Sequence, residues 1–159
     1  MEQINNFRKS LQFVLKWEGG YSEVPGDRGG ATKWGITQAS YDGWRTGKGY
    51  NCRPVALLTA DEASDIYAEK YWDAVGCDAV DFPECTVVFD TAVNMGPGVA
   101  RSLLQSTDTV QDYLDARKAR YLAIIDRNPS QQKFLRGWLN RLNDLTKFVQ
   151  VNTPTDQSV

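Results

Sequence analysis

Histidine is absent from all 159 residues. Without an imidazole the chain cannot build a Ser-His-Asp or Cys-His nucleophilic site. The usual catalytic zinc sites, which lean on His, are excluded with it. Cysteine is scarce as well: Cys52, Cys77 and Cys85 form an odd set with no CxxC pairing. That suggests reduced, mostly buried thiols in a cytosolic product rather than a disulfide framework. No apolar run approaches a membrane span, and the opening MEQINNFRKS is not a signal peptide, so stable membrane insertion is not expected. A formal charge of −2 and a pI near 5.2 argue against a dedicated nucleic-acid binder. There is no phosphate-binding loop, no cofactor is expected, and no metal site is expected.

What is present is the composition of an ordinary globular chain, 42% apolar and 24% charged, at a length suited to one domain with a real core. The charge is uneven. Residues 1–100 carry a net −5 and residues 101–159 a net +3. The basic part suits an anionic surface, or is chance unevenness.

Periodicity predicts mostly helix. Ile4, Phe7, Leu11 and Val14 recur at helical steps and run into Glu18. A glycine- and charge-rich loop follows, SEVPGDRGG. Ala31–Thr37 is β-compatible, with Trp34 and Ile36 on one face, as half of a small hairpin or ribbon. Residues 38–54 read as irregular, with a short helix starting near Gln38. Thr59 to Glu62 form a capping box that opens a helix through about Val75, with Ala63, Ile66, Tyr67 and Tyr71 inward and Gly76 ending it. Residues 85–95 are apolar nearly all round and read as a buried central helix, stopped by Gly96-Pro97. A short helix over Val99–Gln105 and a longer one over Val110–Ile125 come next. Asn128, Pro129 and Gln131 then resemble a helix start. The last stripe is Phe134, Trp138, Leu142, Leu145 and Val149, and VNTPTDQSV is expected to be a disordered tail.

With imidazole and metal chemistry gone, carboxylates are the strongest chemistry left. Glu18 continues an apolar stripe in the last turn of its helix, before Gly19-Gly20, which suit a left-handed cap. Burial and the helix dipole both disfavour its ionised form, which would suit a general acid. The alternative is a plain solvated carboxylate. Asp27, nine residues on, sits in a Gly-rich loop that favours a hydrated, ionised group, or is simply a turn residue. Two carboxyls in opposed environments are what glycoside hydrolysis requires. Thr32 could orient a water beside Asp27, or is an ordinary strand threonine.

The run EGGY–DRGGATKWGIT resembles the family 108 glycoside hydrolases, muramidases with a lysozyme-like fold. FDTAVNMGPGVARSLLQ, residues 89–105, looks like the second characteristic block of that family. The resemblance covers roughly residues 10–105. It implies that Glu18 is the catalytic acid. The Glu–Asp–Thr order is similar to the triad of phage-type lysozymes, which implies Asp27 and Thr32 as second and third members. The spacing from Asp27 to Thr32 is one residue shorter than in that pattern, and Arg28 stands where the family usually shows Pro. ARKARYLAIIDRNPSQQKFLRGWLNRL resembles the helical segment, often called a peptidoglycan-binding domain, that follows in these proteins. Near the implied cleft, Tyr21, Trp34 and Trp44 could stack on sugar rings. Trp17, Trp72 and Trp138 fit a core better, and Trp34 fits either role. Asn94 could hydrogen-bond an N-acetyl group or merely cap its helix.

The expectation is therefore a mainly α, lysozyme-like helical domain with a small β element lining the cleft. It spans residues 1–150, with 106–150 packed on the body and 151–159 as the tail. The expected activity is hydrolysis of the β-1,4 bond between N-acetylmuramic acid and N-acetylglucosamine in bacterial peptidoglycan. The expected protein is a monomeric phage endolysin, made in the host cytoplasm and released by a separate holin-like membrane protein. Rival readings are a non-catalytic wall-binding or virion component, and a bacterial muramidase aiding secretion.

Overall fold

Helix α1 (Glu2–Glu18) ends where the sequence predicts. Gly19 takes φ +73° and its N–H closes the last turn on the Leu15 carbonyl at 3.3 Å. Leu11, Phe13 and Val14 are buried. Ile4 is not part of the stripe: it is 60% exposed, because the first turn faces solvent there. The structure is a computed structural model and describes residues 1–23 and 30–155. Asp27 and the last four residues of the expected tail lie outside the described residues. The chain divides into two compact units, one of residues 11–70 and one of residues 1–10 with 71–159.

The unit of residues 11–70 contains a three-stranded antiparallel sheet, β1 (Tyr21–Ser22), β2 (Thr32–Lys33) and β3 (Ile36–Thr37), in that order. Tyr21 pairs with Lys33 and Ser22 with Thr32; Thr32 pairs with Thr37 and Lys33 with Ile36. Residues 31–37 are thus a whole hairpin, and Trp34 is not on a strand face. Trp34 (φ +50°) and Gly35 (φ +74°) form its two-residue turn. Positive φ at both central positions is the type I′ requirement that matches strand twist. A large aromatic side chain rarely adopts it, and tertiary bonds hold it there: Trp34 N–H donates to Gly20 O at 3.3 Å, and Trp34 O accepts from the Tyr67 hydroxyl at 2.5 Å. Lys33 Nζ lies 4.7 Å over the Trp34 ring and donates to Ala56 O and Leu58 O.

The next segment is more helical than expected. Thr37 caps α2 (Gln38–Gly47) by accepting from Ser40 N–H at 3.1 Å, a cap easily overlooked inside a strand-like run. A 3-10 turn at Val55–Leu57 leads to α3 (Ala60–Tyr67). The capping box forms as read, with Thr59 and Glu62 each satisfying the other's backbone N–H. The Glu62 carboxylate also receives Tyr41 at 2.7 Å, Arg45 at 2.5 Å and Arg53 at 2.8 Å, so a single carboxylate joins α2, α3 and the loop between them. Val14, Ile36, Tyr41, Val55, Leu58, Ile66 and Tyr67 form the core of this unit.

After α3 comes a π turn, Ala68–Trp72, then α4 (Asp73–Val75), ended by Gly76 at φ +70°. The extra residue in a π turn shifts the helical register by one. Trp72 is therefore buried where regular helix would have put Tyr71. In the unit of residues 1–10 and 71–159, α5 (Glu84–Met95) is the central helix, buried from Cys85 to Ala92. Around it pack α6 (Pro97–Ser106), α7 (Val110–Arg127) and α8 (Gln132–Asn152). Phe7, Trp72 and Phe89 form an aromatic cluster with centroids 5.3–5.9 Å apart.

The expected start of α8 is corrected. Pro129–Gln131 is a 3-10 turn, and Asn128 Oδ1 accepts from the Ser130 hydroxyl at 2.6 Å instead of capping a helix. A short side chain turned toward a local hydroxyl is turned away from the later N–H groups. Phe134, expected inside, is 45% exposed. The helix continues to Asn152, so the first two residues of the expected tail are helical. No helix among the described residues is long and apolar enough to cross a membrane.

Candidate active site

Glu18 is the last residue of α1 and is half-buried. Its carboxyl lies against the Gly35 backbone. A Cβ built on Gly35 would stand 2.6 Å from Glu18 Oε2, 3.0 Å from the Tyr67 hydroxyl and 3.2 Å from Glu18 Cβ. Only a residue with no side chain allows this approach, and only glycine takes φ +74° without strain. The hairpin turn thus serves as a floor for the carboxyl. Tyr67, 1% exposed on α3, holds that turn through its bond to Trp34 O. The Tyr67 oxygen also borders this space, 3.0 Å from the Cβ position of Gly35.

Thr32 lies on β2, between Ser22 and Thr37, half-buried in the same hairpin that supplies Gly35. Tyr21, on β1, is 49% exposed and its hydroxyl donates to Glu23 Oε2 at 3.0 Å. Bonding to that carboxylate, chiefly, raises its pKa. Trp34 reaches the site through its backbone, with its ring packed under the Lys33 ammonium. Asp27 lies outside the described residues. Asn94 belongs to the other unit, where its Oδ1 accepts from Tyr121 and from Arg117 Nη2 at 3.5 Å. Trp44 donates to Glu69 at 3.3 Å. From the sequence alone Tyr67 reads as plain core, and Gly35 stands out only as part of the GIT segment of the motif. The glycine of WGIT, two residues after a strand and next to an aromatic, was the available signal for a tight turn.

The cysteines take no part. Cys77 and Cys85 are buried and burial pushes both thiols up, which leaves them inert; Cys52 is exposed. Among the described residues no cluster of His, Cys, Asp or Glu could hold a metal ion.

A mainly helical chain with a three-stranded hairpin sheet, and a glutamate ending its first helix against that sheet, has the lysozyme-like fold. Residues 11–96 match the model of the glycosyl hydrolase 108 family, and the chain belongs to that family of glycoside hydrolases. Residues 91–143 match a second model, described as a predicted peptidoglycan domain. The solved structure of Brucella abortus SagA is similar over 97% of this chain and 99% of that chain, with a TM-score of 0.76 and 25% sequence identity. No curated protein matches the sequence.

Proposed function

We propose that the chain is a muramidase, cutting the β-1,4 bond between N-acetylmuramic acid and N-acetylglucosamine in peptidoglycan with Glu18 as general acid. The observation that carries this reading is the Glu18 carboxyl pressed on Gly35 beside the Tyr67 oxygen. A carboxyl so confined can be held ready to protonate a glycosidic oxygen. Asp27 would activate a water on the opposite face of the sugar and Thr32 would help hold that water, giving inversion. An inverting pair leaves about 6.5–9.5 Å between carboxyls for the water, whereas a retaining pair stands about 5–5.5 Å apart. Tyr21 and the Trp34 ring would stack on sugars.

Glu18→Gln keeps the shape and removes the titrating proton. Its rate of sacculus digestion should fall at least about a hundredfold, with disaccharide products identified by mass. Asp27→Asn should slow the reaction greatly, and Thr32→Ser less than Thr32→Val. A folded Glu18→Gln protein that clears cell walls at the wild-type rate would refute the assignment. A first-formed β-anomer would refute inversion. The biological setting we favour is host lysis by a phage endolysin, acting as a monomer and released by a holin-like protein. Co-expression with a holin should then trigger lysis that expression alone does not.

A further inference from the structure

In the unit of residues 1–10 and 71–159, a groove of about 580 Å³ runs along α7, and its lining falls wholly within the stretch matched by the peptidoglycan-domain model. Its floor is apolar, with Met95, Val99, Leu103 and Ile124. On one side Trp138 stacks on Tyr121, 5.1 Å between centroids at 17°, and Phe134 continues the stack at 6.0 Å. Arg120 and Arg127 also line it. They are seven residues apart on one helix face, about 10.5 Å of helical rise.

These two guanidinium groups differ from their neighbours. Arg117 and Arg141 are buried on Asp90, at 2.8 and 2.7 Å. Arg120 and Arg127 are exposed, and neither has a hydrogen bond or ion pair among the described residues. Two unpaired cations beside an apolar floor fit a ligand with carboxylates and small alkyl groups. Asn94 adds a donor. Its Oδ1 is held by Tyr121 and Arg117, and its Nδ2 has no partner among the described residues. Burial, chiefly, pushes the Tyr121 hydroxyl up, so it stays a donor to Asn94.

We infer that this groove binds the peptide stem of peptidoglycan, with Arg120 and Arg127 on two of its carboxylates. The inference rests on the peptidoglycan reading above. The glycan strand is neutral where its lactyl groups carry peptides, so the anions that match two free guanidinium groups are on the stem. An extended peptide spans the distance between them in about three residues. The floor takes alanine methyls, and Asn94 Nδ2 can donate to a peptide carbonyl.

The test is an NMR titration of the full chain with a synthetic tetrapeptide of L-Ala, γ-linked D-Glu, diaminopimelate and D-Ala, beside a peptide-free chitooligosaccharide. The tetrapeptide should shift the Trp138 indole and the Ile124 methyls. The doubly substituted Arg120→Gln, Arg127→Gln chain should bind it at least about tenfold more weakly, having lost two charge-assisted contacts. Both positions are exposed, and an unchanged circular dichroism melt would show the fold intact. Shifts absent from α7 and α8, equal affinity in the variant, or groove shifts produced by the oligosaccharide instead would each overturn the inference. The tetrapeptide holds no glycosidic bond, so its binding is read independently of hydrolysis. A chain that digests sacculi but ignores the peptide refutes this inference alone. A chain that binds the peptide but cuts no glycan refutes the muramidase reading and keeps this one.

Discussion

Substituting Gly35 by alanine tests the contact on which the proposed role of Glu18 rests. Two costs arise at that position and they are separable. The backbone cost is that of an L-residue at φ +74°, about 1–2 kcal/mol. For a chain of this length that lowers Tm by about 2–8 °C. The second cost falls on the site. The new methyl would stand 2.6 Å from Glu18 Oε2, about 0.8 Å inside ordinary contact, with Tyr67 blocking a second direction at 3.0 Å. The carboxyl must swing away, and a catalytic group displaced by roughly an ångström costs about a hundredfold in rate. Gly35→Ala should therefore lose about two orders of magnitude in sacculus digestion for a modest loss in Tm. Gly49→Ala is the control for the backbone term. It has φ +80° with no atom near the added methyl, so it should melt lower and keep full activity. Gly43→Ala, inside α2 and equally uncrowded, should gain about 0.5–1 kcal/mol and keep full activity. If Gly35→Ala digests sacculi at the wild-type rate, the Glu18 carboxyl is not held by that turn during catalysis and the argument fails.

Two further outcomes concern charge. Partial burial alone would push Glu62 up, but the bonds from Tyr41, the Thr59 N–H and Arg53 outweigh it and hold the carboxyl at about 2. A carboxyl lowered from 4.5 stabilises the fold above that pH and loses the contribution as pH falls toward about 2, so Glu62→Gln should flatten the acid limb of a melting-temperature profile in that window. An unchanged acid limb would count against the network. Asp90→Asn would leave the buried Arg117 and Arg141 guanidinium groups without their shared carboxylate, and should cost about 3–5 kcal/mol in urea unfolding; a loss below about 1 kcal/mol would mean that Thr91 and Tyr121 already satisfy Arg117.

The elements with a local cause were legible in the sequence. Gly19 after an apolar stripe, the Thr59–Glu62 box and Gly76 are short-range devices, and each forms as read. Readings failed where the cause was not local. Trp34 looked like a strand residue, since β-compatible aromatics usually are. Its positive φ is held by Gly20 and Tyr67, which are 14 and 33 residues away. Trp72 is buried as expected of a core residue, but Tyr71, also expected inside, is only half-buried, because the π turn at residues 68–72 shifts the helical register. Asp90 was hidden in a run of apolar residues; its partners lie on α7 and α8, where arginines read as surface.

The same division explains the site. Glu18 could be picked out because its own helix condemns it: a carboxyl on an apolar stripe has no local reason to be there. Gly35 and Tyr67 carry no such sign. A glycine in a turn and a tyrosine on a buried face are each accounted for by secondary structure alone. Their role exists only once the turn and the helix end meet, where an absent side chain becomes the space that the carboxyl occupies. The carboxyl is thus visible in sequence by the rule it breaks, while the residues it packs against obey every local rule. That is why the Gly35 variants, more than further substitutions of Glu18, decide whether the carboxyl works where the fold holds it.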